Sequence, residues 1–254
     1  MRNIKLTLAY DGTDFYGWAI QPDVPTIQGT IVDVLCKITQ EKIRLHASGR
    51  TDAGVHALGQ VASFKTRSII PTANLQRALN CLLPPTIRVL EAKDMPLDFH
   101  ARWHAQAKTY RYRILRAAVC PPFLWRYVYH YPFPLDIEAM FAAVPQFEGE
   151  HDFSSFSSWS SKDDEQRHMV RTVLSATLSW QPAEQELVFG IKGRAFLRHM
   201  VRKIVGTLIE VGKGRLAASD IPGIFAARDR TRAGPTVPAA GLCLLEVEYP
   251  EAYR

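Results

Sequence analysis

The sequence is poor in the features that mark most specialised protein classes. It has four cysteines, Cys36, Cys81, Cys120 and Cys243, in 254 residues. None forms a C-x-x-C pair and each sits among apolar residues, which excludes a disulfide scaffold and reads as reduced, buried thiols. No apolar run approaches the length of a membrane span. Met1 to Lys5 lead straight into an alternating pattern and not into the apolar core of a signal peptide. A cytoplasmic protein that does not associate with membranes is therefore expected. Chemical signatures are missing too. There is no dense carboxylate cluster suited to a two-metal nuclease and no nucleophile elbow. His100 and His104 have i, i+4 spacing, but no acidic residue between them acts as in a zincin. Cys120 is too distant to complete a zinc site. Val211-Gly212-Lys213-Gly214 follows a helical pattern and lacks the flanking residues of a phosphate loop, so it reads as a helix C-terminus. Neither a metal nor a cofactor is expected, and no internal repeat is visible.

What is present is an ordinary globular mixture, 47% hydrophobic, 22% charged and 10% aromatic. That suffices for one large domain or two small ones. The net charge is +6 and the pI near 9.2. Arginine outnumbers lysine. The planar guanidinium matches phosphate and stacks on bases, so the bias fits a nucleic-acid partner. On charge alone a generally basic protein with no such partner fits as well.

Hydrophobic periodicity predicts an α+β chain. Strands are expected at Ile4–Tyr10, Ile43–Ala47, Gln60–Thr66, Ile87–Ala92, Thr109–Leu115, Tyr127–Tyr131, Val170–Trp180, Leu187–Gly193 and Leu242–Tyr249. Helices are expected after Thr26, with Ile27, Ile31, Leu35 and Ile38 on the apolar face, and after Thr72 up to Pro84-Pro85. Further helices are expected at Ile137–Phe147, Phe196–Val211 and Ile221–Arg228. Short connections favour antiparallel pairing. The expected architecture is two domains, 1–105 and 106–254, each a mainly antiparallel sheet with helices on one face. Phe153–Ser161 is serine-rich and Lys162–His168 is polar, which predicts an exposed loop.

Three segments carry chemistry. Ser48–Gly54 packs two glycines, Arg50 and Asp52 between two short strands. The glycines permit tight turns and a close ligand approach. By spacing alone the simpler account is a turn in which the Asp52 carboxylate bonds its own backbone. Arg198 and Arg202 lie one turn apart on the expected helix Phe196–Val211, beside its apolar stripe. They need a carboxylate or phosphate partner, unless both snorkel at the helix margin. Phe99-His100-Ala101-Arg102-Trp103 through Lys108, Arg111 and Arg113 interleaves aromatic and basic residues, a pattern that stacks bases and neutralises phosphates.

Together these pieces resemble the TruA family of pseudouridine synthases almost from end to end. Tyr10-Asp11-Gly12 with Tyr16-Gly17-Trp18 and Gln21 is similar to its first motif. Gly49-Arg50-Thr51-Asp52-Ala53-Gly54-Val55-His56-Ala57 is similar to its signature and is the most specific match. Phe99-His100-Ala101-Arg102 with Lys108-Thr109-Tyr110-Arg111-Tyr112, then His151-Asp152-Phe153, Phe196 to Arg202, Gly241-Leu242 and Tyr249-Pro250 follow in the family's order. The sequence departs at Ala19, where a Gln is common, at Gly29, where an acidic residue is usual, at His104, where Ser is common, and in the serine-rich stretch after Phe153.

The resemblance implies isomerisation of uridine to pseudouridine in the anticodon stem-loop of tRNA, at positions 38 to 40, by a homodimer without metal or cofactor. It implies a catalytic cleft between two domains. Asp52 would be the essential carboxylate, with its role as nucleophile or sugar base left open. Tyr110 would stack on the base and move a proton, Arg202 would pair with the aspartate, and Leu242 would wall the pocket. Arg50 would bind the opened backbone. Phe99, His100, Ala101, Arg102, Trp103 and Arg198 would meet the RNA, and the target base would be flipped out of its stack.

Overall fold

The computed structural model describes residues 1–158 and 169–254. The expected polar loop 162–168, and the end of the serine-rich stretch, lie outside the described residues. The chain order is β1 (Arg2–Tyr10), α1 (Ile27–Thr39), β2 (His46–Ala47), β3 (His56–Thr66), α2 (Thr72–Leu82), β4 (Ile87–Met95), β5 (Ala107–Leu115), β6 (Tyr129–His130), α3 (Ile137–Ala143), β7 (Gly149–Asp152), β8 (Val170–Gln181), β9 (Glu186–Gly193), α4 (Met200–Gly212), α5 (Ile221–Ala227) and β10 (Leu242–Glu248). The expected α+β class is therefore observed.

The chain divides into two compact units, Met1–Lys108 with Cys243–Arg254, and Thr109–Leu242. The C-terminal strand thus groups with the first hundred residues and not with the segment that precedes it. The reason lies in its pairing: Cys243 and Leu244 run parallel to His56 and Ala57 of β3.

In the first unit the strand order is β4-β1-β3-β10, with β2 beside β3. β1 pairs antiparallel with β3 and with β4. Ile4, Leu6 and Leu8 are buried, as their alternation predicts. β3 is covered over most of its length, which suits its continuous Val61-Ala62-Ser63-Phe64 run. Thr26 caps α1 through its hydroxyl, which accepts from Gly29 N at 3.2 Å. That helix buries Ile27, Ile31, Val34 and Leu35. The cap expected at Thr72 is instead Pro71, with no side-chain bond, and Thr72 is already helical. α2 buries Leu75 and Leu79 and stops before the two prolines.

In the second unit the order is β5-β9-β8-β7, with β6 beside β5. β8 and β9 form the expected antiparallel pair. Two pairings, β3 with β10 and β5 with β6, are parallel. Arg113 of β5 grips Glu186 of β9 with two bonds of 2.6 Å, and Glu186 is 1% exposed. α3 ends at Ala143, sooner than expected, and a 3-10 turn through Pro145 completes the segment to Phe147. α4 is buried on nearly all sides. Gly206 permits this: a Cβ there would lie 1.8 Å from the Pro235 carbonyl oxygen. Only a glycine allows that backbone approach.

Candidate active site

The loop between β2 and β3 is fixed from below by buried polar side chains. Gln60 of β3 is completely buried. Its oxygen accepts from Ser48 Oγ at 2.7 Å and from Val61 N at 3.2 Å. Its nitrogen donates to the Gly49 carbonyl at 3.0 Å and to the Tyr10 hydroxyl at 3.3 Å. Tyr10 Oη lies 2.9 Å from Thr51 Oγ1. Burial holds the Tyr10 hydroxyl protonated, well above its ordinary pKa. Residues 48 to 51 are thereby tied to β1 and β3 through neutral groups.

The turn at Asp52 is closed by the main chain, Val55 N donating to the Asp52 carbonyl at 3.1 Å. Gly54 adopts a φ of +76°, in the left-handed region.

The segment after β1 lies across this loop. Trp18 N donates to the Thr51 carbonyl at 3.0 Å and Gly54 N to the Phe15 carbonyl at 3.3 Å. A Cβ on Gly12 would lie 2.0 Å from the Val55 carbonyl oxygen. His56, buried, places Nδ1 3.2 Å from both Gly12 N and Asp11 Oδ1. The Tyr10–Trp18 motif therefore buttresses the signature loop. Asp52 itself is half-buried and Arg50 is exposed.

The central aromatic and basic segment divides in two. Phe99 is core, with ring centroids 5.3 Å from Tyr249 and 5.4 Å from Tyr253. Ala101 is fully buried, its N–H donating to Ser63 Oγ and its carbonyl accepting from Tyr249. The expectation that Phe99 and Ala101 meet RNA is thus corrected: these two positions anchor the segment. Arg102 and Trp103 are exposed. Trp103 stacks on His100 at 4.0 Å and 13°, and His100 lies 4.7 Å from His46. Burial first, then neighbouring positive groups, lower the pKa of both histidines, which favours neutral rings.

The second unit holds the remaining candidates. Tyr110 is buried on β5, its ring 5.0 Å from Phe196 at 79°. Arg202, half-buried on α4, donates from Nε to the Val237 carbonyl at 2.8 Å. Leu242 is 5% exposed and opens β10.

The helix begins at Met200, not at Phe196. His199 has a φ of 62°, a left-handed conformation that breaks helical continuation. Arg198 therefore precedes the helix, exposed, and does not share a helical face with Arg202. Among the described residues no group of three or more His, Cys, Asp or Glu is placed to hold a metal ion. No helix among them is long and apolar enough to cross a membrane. Sequence reading overlooked Gln60, whose signal was a lone amide inside an apolar strand, a group that demands partners when buried.

Known proteins similar in sequence to this chain agree with one another. The sequence profile of a family described as tRNA pseudouridine synthase matches residues 7–104 and 143–250. The tRNA pseudouridine synthase A of Solibacter usitatus is 49% identical over 98% of this chain and 100% of that one. That of Caldicellulosiruptor bescii is 46% identical over 98% of this chain and its own full length. That of Halalkalibacterium halodurans is 48% identical over 95% and 90% of the two chains. Among solved structures, a chain of an H/ACA ribonucleoprotein bound to a substrate RNA covers 81% of this chain and 44% of its own, with a TM-score of 0.34 at 14% identity. The full-length agreement decides the matter: this chain belongs to the tRNA pseudouridine synthase A family, enzymes that isomerise uridine to pseudouridine in tRNA.

Proposed function

We propose that the chain converts uridines at positions 38 to 40 of the tRNA anticodon stem-loop, as a cytoplasmic homodimer, with Asp52 as its essential carboxylate. The reaction breaks the bond from ribose C1′ to uracil N1 and forms one from C1′ to C5. N1 gains a proton and C5 loses one, so substrate and product are isomers and no redox partner or water is consumed. A glycosidase normally needs a second carboxylate to manage water, and none accompanies Asp52 in its loop.

The observation that carries this reading is the loop itself. Its base is locked by the fully paired Ser48–Gln60–Tyr10–Thr51 network, while Arg50 and Asp52 are carried beyond that lock. A reactive group held in fixed geometry loses little entropy at the moment of reaction. The carboxylate acts ionised, whether it attacks carbon or removes a sugar proton.

In this reading Tyr110 stacks on the flipped base and moves a proton. Arg202 pairs with the carboxylate and orients it. Leu242 contributes an apolar wall. Arg50, Arg102 and Arg198 neutralise phosphates, and Trp103 with His100 offers a stacking surface. The target base leaves its stack to be reached.

The test is incubation with unmodified tRNA, followed by mapping of pseudouridine in the anticodon arm. Wild type is expected to form it. Asp52→Ala is expected to lose about 10⁴-fold or more in turnover while still binding tRNA. Absence of product with wild type, or full activity in Asp52→Ala, overturns the reading. Release of free uracil would identify a glycosylase instead, and binding without conversion an RNA-binding protein without catalysis.

A further inference from the structure

Among the described residues three lysines are buried: Lys5, Lys108 and Lys203, at 7, 8 and 8% exposure. Burial of an ammonium is costly unless a partner replaces its water. Lys203 has two such partners, the carbonyls of Arg230 and Gly234, each at 3.1 Å. Lys5 reaches the Tyr253 carbonyl at 3.4 Å and feels the nearby Glu91. Lys108 differs. Among the described residues no hydrogen bond or ion pair engages its ammonium.

The charged neighbour that acts on Lys108 is Arg102, a second cation. Burial first, then Arg102, lower the lysine pKa to about 8. The nitrogen retains some contact with solvent.

Its position is specific. The Lys108 stem packs on Gly49 of the signature loop: a Cβ on Gly49 would stand 3.3 Å from Lys108 Cε and 3.8 Å from Cδ. Gly49 has no need of a left-handed φ here. Its missing side chain makes room for the lysine, three residues from Asp52. Two cations close enough to influence one another, one of them largely stripped of water, favour an anion beside them.

We propose that Lys108, together with Arg102, seats one phosphodiester of the RNA backbone beside the signature loop. The inference rests on the tRNA-isomerising reading and adds to it a named anchor for the substrate. A phosphate there restores the charge balance that the fold leaves open. It also grips the backbone close to the loop that carries the proposed catalytic carboxylate.

The test compares wild type with Lys108→Met and Lys108→Arg. Affinity for unmodified tRNA is measured from pH 7 to pH 9.5 and across a salt series, with melting temperature and pseudouridine formation read on the same samples. Lys108→Met is expected to bind about tenfold more weakly. Its plot of log affinity against log salt should be shallower by about 0.7 to 0.9, the contribution of one phosphate. Its melting temperature should be unchanged or higher, because a buried charge without a partner has been removed.

Wild-type binding should weaken as pH rises past 8, where the free lysine loses its proton. Lys108→Arg should bind comparably at pH 7 and not show that loss. Arg102 is the charged group that acts on Lys108, and it is common to all three proteins, as are Arg50, Arg111, Arg113, His46, His100, His104 and Asp52 on the neighbouring segments. The arginine comparison therefore isolates the lysine.

Equal affinity, salt slope and pH response in Lys108→Met and wild type would overturn the phosphate seat. So would a lower melting temperature in Lys108→Met, which would mean the fold itself satisfies the charge. If wild type shows these binding signatures but forms no pseudouridine, the phosphate seat stands and the catalytic reading fails.

Discussion

Asp52 stands on a loop held by side chains, whereas Arg202 stands on a helix held by backbone. In the first unit Gln60, Ser48, Tyr10 and Thr51 spend their hydrogen bonds on one another and on Gly49. All are neutral. In the second unit α4 is clamped by close contact of Gly206 with Pro235 and by carbonyl acceptors. Thr207 Oγ1 accepts from Gly234 N at 2.9 Å, and the Arg202 and Lys203 nitrogens donate to carbonyls of residues 230 to 237. Peptide dipoles meet those nitrogens. The second unit also uses neutralising pairs, Arg113 with Glu186 and, at the end of α4, Glu210 with Lys213 and Arg215. The first unit holds its segment with amides and hydroxyls, the second with peptide carbonyls.

The comparison can be broken most forcefully at Gly206. Gly206→Ala puts a methyl group into the Pro235 carbonyl, backbone against backbone, and α4 must shift. A loss of about 3 kcal/mol or more is expected by denaturant unfolding. A loss under about 1 kcal/mol would show that the contact does not hold the helix.

Arg202→Met sharpens the functional half of the contrast. Turnover should fall about 100-fold with tRNA affinity changed far less, as the proposed pairing of Arg202 with Asp52 requires. A change confined to affinity would reassign Arg202 to phosphate binding.

The smallest effect is expected at Gln60. Gln60→Ala leaves Ser48, the Gly49 carbonyl and Val61 N short of a partner. About 2 kcal/mol of stability should go, with turnover falling as the loop loosens. Unchanged turnover at reduced stability would show that the network supports the fold and not the positioning of Asp52.

Much was legible without the structure. Apolar alternation located β1, β5, β8 and β9 within a residue or two, and Thr26 marked the start of α1, because period and capping chemistry are local. The ordered motifs from Tyr10 to Tyr249 identified the family, since the residue types a site requires survive in sequence wherever the chain places them. The sequence misread Phe196–His199 as helix, because a left-handed φ at His199 leaves no compositional mark as it would at a glycine. It also grouped Phe99 and Ala101 with the RNA-facing residues. An interleaved segment shows which residues are aromatic or small, not which side of it is packed.

Only the tertiary structure returned Cys243–Arg254 to the first unit, through a parallel pairing with β3 that spans most of the chain. Long-range pairing has no local signal. Only it showed Gln60 as the centre of a network and Lys108 as the one buried lysine among the described residues with no partner in the fold. Residue type fixes the charge and the hydrogen-bonding capacity of a side chain. Whether a partner meets it depends on atoms far away in the sequence, and the packed fold alone decides that.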